Sequence, residues 1–353
     1  MRNLASLLFV LSFAPNIWPC CGASLGPVDG STSSSDTETC QDESCVDCPP
    51  KTNSPSFMKT GNYRFEQTDL VLAGRGPAIV VTRVYNSRER YTGPLGKGWH
   101  HSLVIQAFQT IDAVGEYVLL REPNAGRVRF TKNGSTYTPP VGHQEALTLE
   151  DDGSISVRML NRDIWRFGPD GWITSVEDRN GNTMTWTYAS IGGQTRPVSV
   201  QAPGGRQVTI AWEGAARIQS ITDQTGRSIL YEYDQERNLR SVKNPAGQYW
   251  TYEYRNGDDR LLLERVEFQG VTYATASYDT TDRVIGYMES GQSETLEYMD
   301  GYTVKRDASG KEWKYYFDAD GVITQRIDPL SMISQIGGDS IKLIDGTAAS
   351  GSR

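Results

Sequence analysis

Chemistry in this chain of 353 residues would have to come from a recurrent set of aspartates, a pair of histidines, a cysteine cluster or a row of large rings. Asp170, Asp178, Asp223 and Asp307 each stand in or just ahead of a glycine turn. A carboxylate placed there bonds the amides of its own turn, which is a structural use rather than acid–base catalysis. His100 and His101 are neighbours, so on a strand they face opposite sides and do not chelate one metal; a loop or surface place is expected for them. His143 follows a Pro-Pro loop and has no partner in view. No Gly-x-Ser-x-Gly elbow, phosphate-cradling loop or zinc-protease helix motif occurs in the sequence. We therefore assign no catalytic, cofactor-binding or metal-ligating residue and expect a protein that is not an enzyme.

The rings are the one group that suggests binding. Trp186, Tyr231, Tyr233, Trp250, Tyr252 and Tyr254 alternate with polar residues, and rings displayed on a sheet stack on sugars or bases. The competing use is a cross-strand ladder within the sheet.

The elements that position these rings are repeated. Arg217–Tyr233 and Asn238–Tyr254 are two copies of one unit, with Ile218 matching Leu239, Ile221 matching Val242, Gly226 matching Gly247 and Tyr233 matching Tyr254. A fixed period of about twenty residues means stacked units, none of which can hide its apolar face alone. Within a unit, Ile229, Tyr231 and Tyr233 alternate with Leu230 and Glu232, the pattern of a half-buried strand. Asp223-Gln224-Thr225-Gly226 and Asn244-Pro245-Ala246-Gly247 read as type I turns. Ile218 and Ile221 are three apart, which requires either a bulge or a sheet buried on both faces. The fold class is all-β: an N-terminal β domain followed by a curved strip of stacked hairpins, with a β-propeller as the competing architecture.

Composition sets the compartment. Three cysteines, Cys40, Cys45 and Cys48, lie in one short acidic segment without a nearby fourth ligand; one disulfide among them is expected, and the sequence leaves its pairing open. Residues 1–23 read as a signal peptide too short and too broken by Pro15 and Pro19 to span a membrane, and no later stretch reaches spanning length. Residues 24–60 read as a disordered linker rich in Ser, Pro and acidic residues, 61–160 as the N-terminal β domain, 161–330 as the repeat array and 331–353 as a disordered tail. A net charge of −8 without a run of Lys or Arg argues against nucleic acid.

Gly61-Asn62-Tyr63, Glu66-Gln67-Thr68-Asp69-Leu70, Thr82-Arg83-Val84-Tyr85-Asn86-Ser87 and Leu95-Gly96-Lys97-Gly98-Trp99 occur in that order, and Tyr233-Asp234, Tyr278-Asp279 and Phe317-Asp318 follow downstream. In these motifs the chain resembles RHS (YD-repeat) proteins from about Gly61 to Pro329. The resemblance implies a β shell built from a leading region and a repeat array. Arg326-Ile327-Asp328-Pro329-Leu330-Ser331-Met332 starts like the family's closing motif or like one more repeat, but has serine where glycine is usual in that motif, and the remaining motif does not follow. Self-cleavage and a C-terminal toxin are therefore not expected. The function read from the sequence is a non-catalytic secreted or cell-surface structural or interaction protein. The alternatives are a carbohydrate-binding envelope protein or a shortened remnant of a toxin-delivering polypeptide. Expected partners are a protein or a cell-surface glycan, with self-association through open sheet edges.

Overall fold

The computed structural model describes residues 58–140, 143–255, 261–318, 323–337 and 340–344, so the signal peptide, nearly all of the linker and Cys40, Cys45 and Cys48 lie outside the described residues. Every regular element described is a strand. Arg64–Leu72, Ile79–Asn86 and Trp99–His101 form a three-stranded antiparallel sheet. From Gln106–Asp112 onward each strand pairs antiparallel with the next, in one long sheet that runs to Ser340–Ile344. Its first strand also bridges back, Gln106 to Trp172, so the sheet curls and closes on itself. The four-stranded blades of a propeller are absent from this continuous ladder.

Three expectations change in detail. Residues Ile333–Gly337 and Ser340–Ile344 add a hairpin to the sheet where a disordered tail was expected, because the exposed edge of Ile323–Ile327 offers ladder partners to any strand-compatible segment that follows. Order also begins before Gly61: Met58 is buried and its carbonyl accepts the Thr303 hydroxyl at 2.6 Å. The expected boundary between 160 and 161 falls inside the long sheet, between the paired strands Ile155–Arg158 and Ile164–Phe167.

The bulge required by Ile218 and Ile221 is present. Ala211 pairs with Ser220 and Trp212 with Ile218, so Gln219 is the extra residue; both isoleucines then point inward, fully buried. The same step recurs where Tyr233 pairs with Leu239, Tyr254 with Leu263 and Tyr278 with Val284. A bulge disrupts the ladder at its carbonyl, and a ring from the following strand meets that need. The hydroxyls of Tyr188, Tyr233, Tyr254 and Tyr278 donate to the carbonyls of Ile173, Ile218, Leu239 and Leu263 at 2.5, 2.6, 2.6 and 2.8 Å, each 15 residues back. Tyr298 does the same to Val284, and Trp212 Nε1 to Pro197. The tyrosine of each Tyr-Asp pair thus ties its strand to the bulge before it.

The aspartate that follows closes the turn. Asp234 Oδ1 accepts the amides of Glu236 and Asn238 at 2.9 and 2.8 Å, and Asp178, Asp223, Asn244, Asp279, Asp307 and Asp328 build the same loop. The fourth position of the loop is left-handed: glycine in Gly226 and Gly247, at φ 85° and 82°, but arginine, aspartate and serine in Arg237, Asp282 and Ser331 at 66°, 62° and 63°. A side chain costs about 1–2 kcal/mol in that region, part of which glycine's extra freedom in the unfolded chain offsets. Ser331 is exposed and its turn is otherwise complete, with Leu330 and Met332 amides both 2.9 Å from Asp328 Oδ1. Ser331→Gly is expected to stabilise the last turns by up to about 1 kcal/mol. Hydrogen exchange of the amides around Asp328 checks it, and unchanged or faster exchange would contradict the assigned strain.

Candidate functional site

The six candidate rings converge, but not on an open surface. Trp186, Tyr231, Trp250 and Tyr252 are buried, and Tyr233 and Tyr254 are half-buried. What covers them is the three-stranded sheet. Phe65 packs against Trp250 and Tyr252 with ring centres 6.0 and 6.2 Å apart, and Trp99 against Tyr252 at 4.9 Å. Trp99 Nε1 donates to the Tyr254 hydroxyl at 2.9 Å, and Trp186 Nε1 to the Leu103 carbonyl at 3.1 Å. Tyr233, besides binding Ile218, lies 3.3 Å from the Pro94 carbonyl. The tyrosine of the leading sheet reciprocates: Tyr85 Oη donates to Leu261 O at 2.7 Å and accepts from Leu263 N at 3.0 Å. The row serves as the seat of the leading sheet, a use closer to the ladder reading than to a stacking platform.

A charged pair sits in the middle of that seat. Asp69 and Arg83 are bonded through both oxygens, at 2.8 and 3.0 Å, with side chains 1% and 0% exposed. The Arg83 guanidinium lies 5.3 Å from the Tyr252 ring centre and 5.7 Å from that of Trp250. A planar cation between a carboxylate and two ring faces is held by all three, and a buried cation without such partners would be very costly. The register shift between Thr68 and Leu70 is what turns Asp69 inward. Sequence reasoning missed this pair because Asp69 and Arg83 read as polar positions of two separate strands; the only signal was an aspartate directly before an apolar Leu-Val-Leu run.

The histidines are core residues, which corrects their expected surface place. His101 and His100 are 2% and 3% exposed. They do face opposite sides, His101 meeting Tyr231 Oη at 3.3 Å and His100 meeting Glu89 Oε2 at 3.4 Å. His101 Nδ1 accepts the Leu103 amide at 3.1 Å, so its proton is on Nε2. His143 has the partner that the sequence did not reveal: its Nδ1 lies 3.0 Å from Glu145 Oε2. Of the expected turn carboxylates, Asp170 bonds the Trp172 amide and Asp178, Asp223 and Asp307 bond the amides of their own turns. Among the described residues no group of three or more His, Cys, Asp or Glu is arranged to hold a metal, and no helix is long and apolar enough to cross a membrane.

Residues 55–130 match a family described as Domain of unknown function (DUF6531). The chain is 30% identical to the tRNA nuclease WapA of Bacillus subtilis (strain 168) over 130 residues, which are 36% of this chain and 5% of WapA. It is 27% identical over 113 residues to the probable deoxyribonuclease RhsB of Dickeya dadantii (strain 3937), covering 32% of this chain and 8% of RhsB. The chain therefore spans a small fraction of the curated relatives it matches. Among solved structures it is similar to a chain of the Photorhabdus luminescens Tc holotoxin pore, at 11% identity and a TM-score of 0.30, over 62% of this chain and 15% of that one. The N-terminal domain of effector protein SpvB from Salmonella typhimurium strain LT2 matches at 12% identity and a TM-score of 0.29, over 59% of this chain and 98% of that one.

Two expectations follow from the seat. Asp69→Ala leaves Arg83 charged and buried without its carboxylate and is expected to cost about 3–5 kcal/mol, whereas Asp69→Leu with Arg83→Met recovers most of it. Denaturant midpoints of the two single variants and the double variant measure the coupling, and additive losses would contradict it. The second concerns acid. Burial, and then the nearby Arg83 charge, lower the His101 pKa from 6.5 to about 3, and burial lowers that of His100. An unfolded chain takes up these protons from pH 6.5 downward and the folded one does not, so their contribution is whole above pH 6.5 and drains as pH falls towards 3. Unfolding free energy measured from pH 7.5 to 4 is expected to fall below pH 6.5, with a shallower slope in His101→Gln.

Proposed function

We propose that this chain is an RHS-related, non-catalytic structural unit that acts outside the cytoplasm by presenting a β wall folded over its own leading strands. The observation that carries this reading is the use of the aromatic row: its rings and hydroxyls are engaged by Phe65, Trp99 and Leu103 and by bulge carbonyls within the wall. A surface so engaged supports assembly of a shell more readily than turnover of a substrate. It also directs the search for a protein or glycan partner to the outer face and the sheet edges. The leader-like residues 1–23 support export.

A second reading has its own support. The curated relatives named as nucleases match this chain over only 5% and 8% of their lengths, so the shared region is a small part of much longer polypeptides. The chain would then be a piece or remnant of a toxin-carrying protein, with hydrolysis performed by residues this chain does not share. One experiment bears on both readings. The protein recovered from the culture medium is incubated with tRNA, duplex DNA, a peptide library and envelope glycans. No turnover of any is expected; hydrolysis of one that persists through repurification would overturn the non-catalytic reading.

A further inference from the structure

Towards its C-terminal end the wall changes character on the face turned away from the core. Tyr315 is 3% exposed and belongs to the continuous core, so its neighbours Lys314 and Tyr316 on Glu312–Phe317 point outward. Val304, Lys314, Ile327 and Ile333 stand opposite one another on successive strands and make one outward row, apolar but for the lysine. A corresponding row earlier in the wall is Thr187, Ser199, Thr209, Thr222 and Ser228, all hydroxyls. In the row beside Lys314, Tyr302 opposes Tyr316 with ring centres 5.0 Å apart and planes at 25°, a stacked pair.

A cleft of about 640 Å³ lies between these side chains and the turns at 307–311 and 328–332, in the size class of small-molecule sites. Tyr316, Ile327 and Ile333 give it an apolar floor. Tyr302 occupies one side of the Tyr316 ring, and Tyr316 itself lines the cleft, so the stack ends there. The charged residues that line the cleft are two of each sign, Lys311 and Lys314 against Glu312 and Asp328. Lys314 Nζ is 3.4 Å from Glu312 Oε1, Arg306 Nε donates to Glu312 Oε2 at 3.1 Å, and Asp328 Oδ1 accepts the Leu330 and Met332 amides. Balanced charge favours an uncharged occupant. A wholly apolar one would strip water from the ammonium and carboxylate groups without replacing it. What fits is a ring with one apolar face and hydroxyls around its edge.

We propose that this cleft binds a neutral glycan chain, one pyranose ring of which lays its C–H face on Tyr316 and over Ile327 and Ile333. Its hydroxyls both donate and accept, so they serve Lys311, Lys314 and Glu312 alike. The site rests on the reading above, in which the outer face meets the partner, and it gives that partner its chemistry. Glu312 and Asp328 are already engaged by Arg306 and by turn amides, so the cleft holds its ligand without cleaving it.

The test uses the full mature chain. Neutral oligosaccharides of glucose, mannose, galactose and N-acetylglucosamine are titrated calorimetrically, with the acidic chain polygalacturonate as the charged comparison. Saturation-transfer NMR reports which sugar protons touch the protein. At least one neutral chain is expected to bind, with saturation strongest on the C–H protons of one ring face. Tyr316→Ala is expected to weaken it about tenfold or more, and Tyr316→Phe to restore it. Should Tyr316→Ala not fold, Ser309→Trp fills the cleft from an exposed turn and is expected to give the same loss. The proposal is overturned if no neutral chain binds, if binding survives Ser309→Trp, or if only polygalacturonate binds. A dimer in solution that Ser309→Trp dissociates also overturns it, since a second copy then occupies the cleft. Turnover of a bound chain is a separate result, which would sink the non-catalytic reading and leave the binding site standing.

Discussion

A bulge recurring in most units is the constraint from which the rest of this structure follows. Without the extra residue at Gln219, Ile218 and Ile221 would face opposite sides, and one of two fully buried apolar side chains would be turned to solvent. With it, the strand bends and its twist increases, which lets a long antiparallel ladder curl instead of extending flat. The cost is a carbonyl at each step that the ladder no longer serves well. An unsatisfied buried acceptor costs about 1–3 kcal/mol, so a repeat that bends in this way needs a donor at a fixed place. The tyrosine 15 residues on is that donor, and the aspartate after it closes the loop leading to the next bulge. Tyrosine and aspartate are adjacent in the repeat because one completes the bend behind it and the other the turn ahead.

A curled wall of this kind has an apolar inner face, which explains the leading sheet. The wall's rings each offer on the order of 150–250 Å² that must be removed from water. The three strands from Arg64 to His101 supply Phe65, Tyr85 and Trp99 for that purpose, and those rings would in turn be bare to water without the wall. Each part therefore lacks a complete core without the other. The continuity of the buried cluster from Met58 to Ile323 is the physical consequence, and sheet and wall are expected to unfold together.

What the sequence made legible was local. The period, the alternation, the Asx turns and the need for a bulge all depend on residues within a few positions of each other, and Ile218, Ile221, Asp223 and Gly226 express them directly. What it hid was long-range. Nothing near Asp69 says that Arg83 will lie between it and Tyr252, and nothing near His100 says that the preceding loop brings Glu89 to it. The purpose of the ring row was ambiguous, because alternation shows that one face is covered and is silent about what covers it. His143 was likewise read as solitary because a partner two residues away, Glu145, gains significance only when both side chains are buried.

The distribution of buried charge completes the argument. The wall's bulges are served by neutral hydroxyls, whereas buried arginine–carboxylate pairs lie where the wall meets the leading strands: Asp69 with Arg83 on one side, Glu89 with Arg127 on the other. Apolar contact alone is tolerant of sliding, since one ring row packs on another in several registers. An ion pair that crosses the contact is not: Glu89 precedes the strand Trp99–His101 and Arg127 belongs to the wall, so displacement by a few ångströms leaves the guanidinium unpaired in the interior. Such pairs add little net stability over apolar replacements, so their value here is register: they allow one docking of sheet on wall and penalise the neighbouring ones.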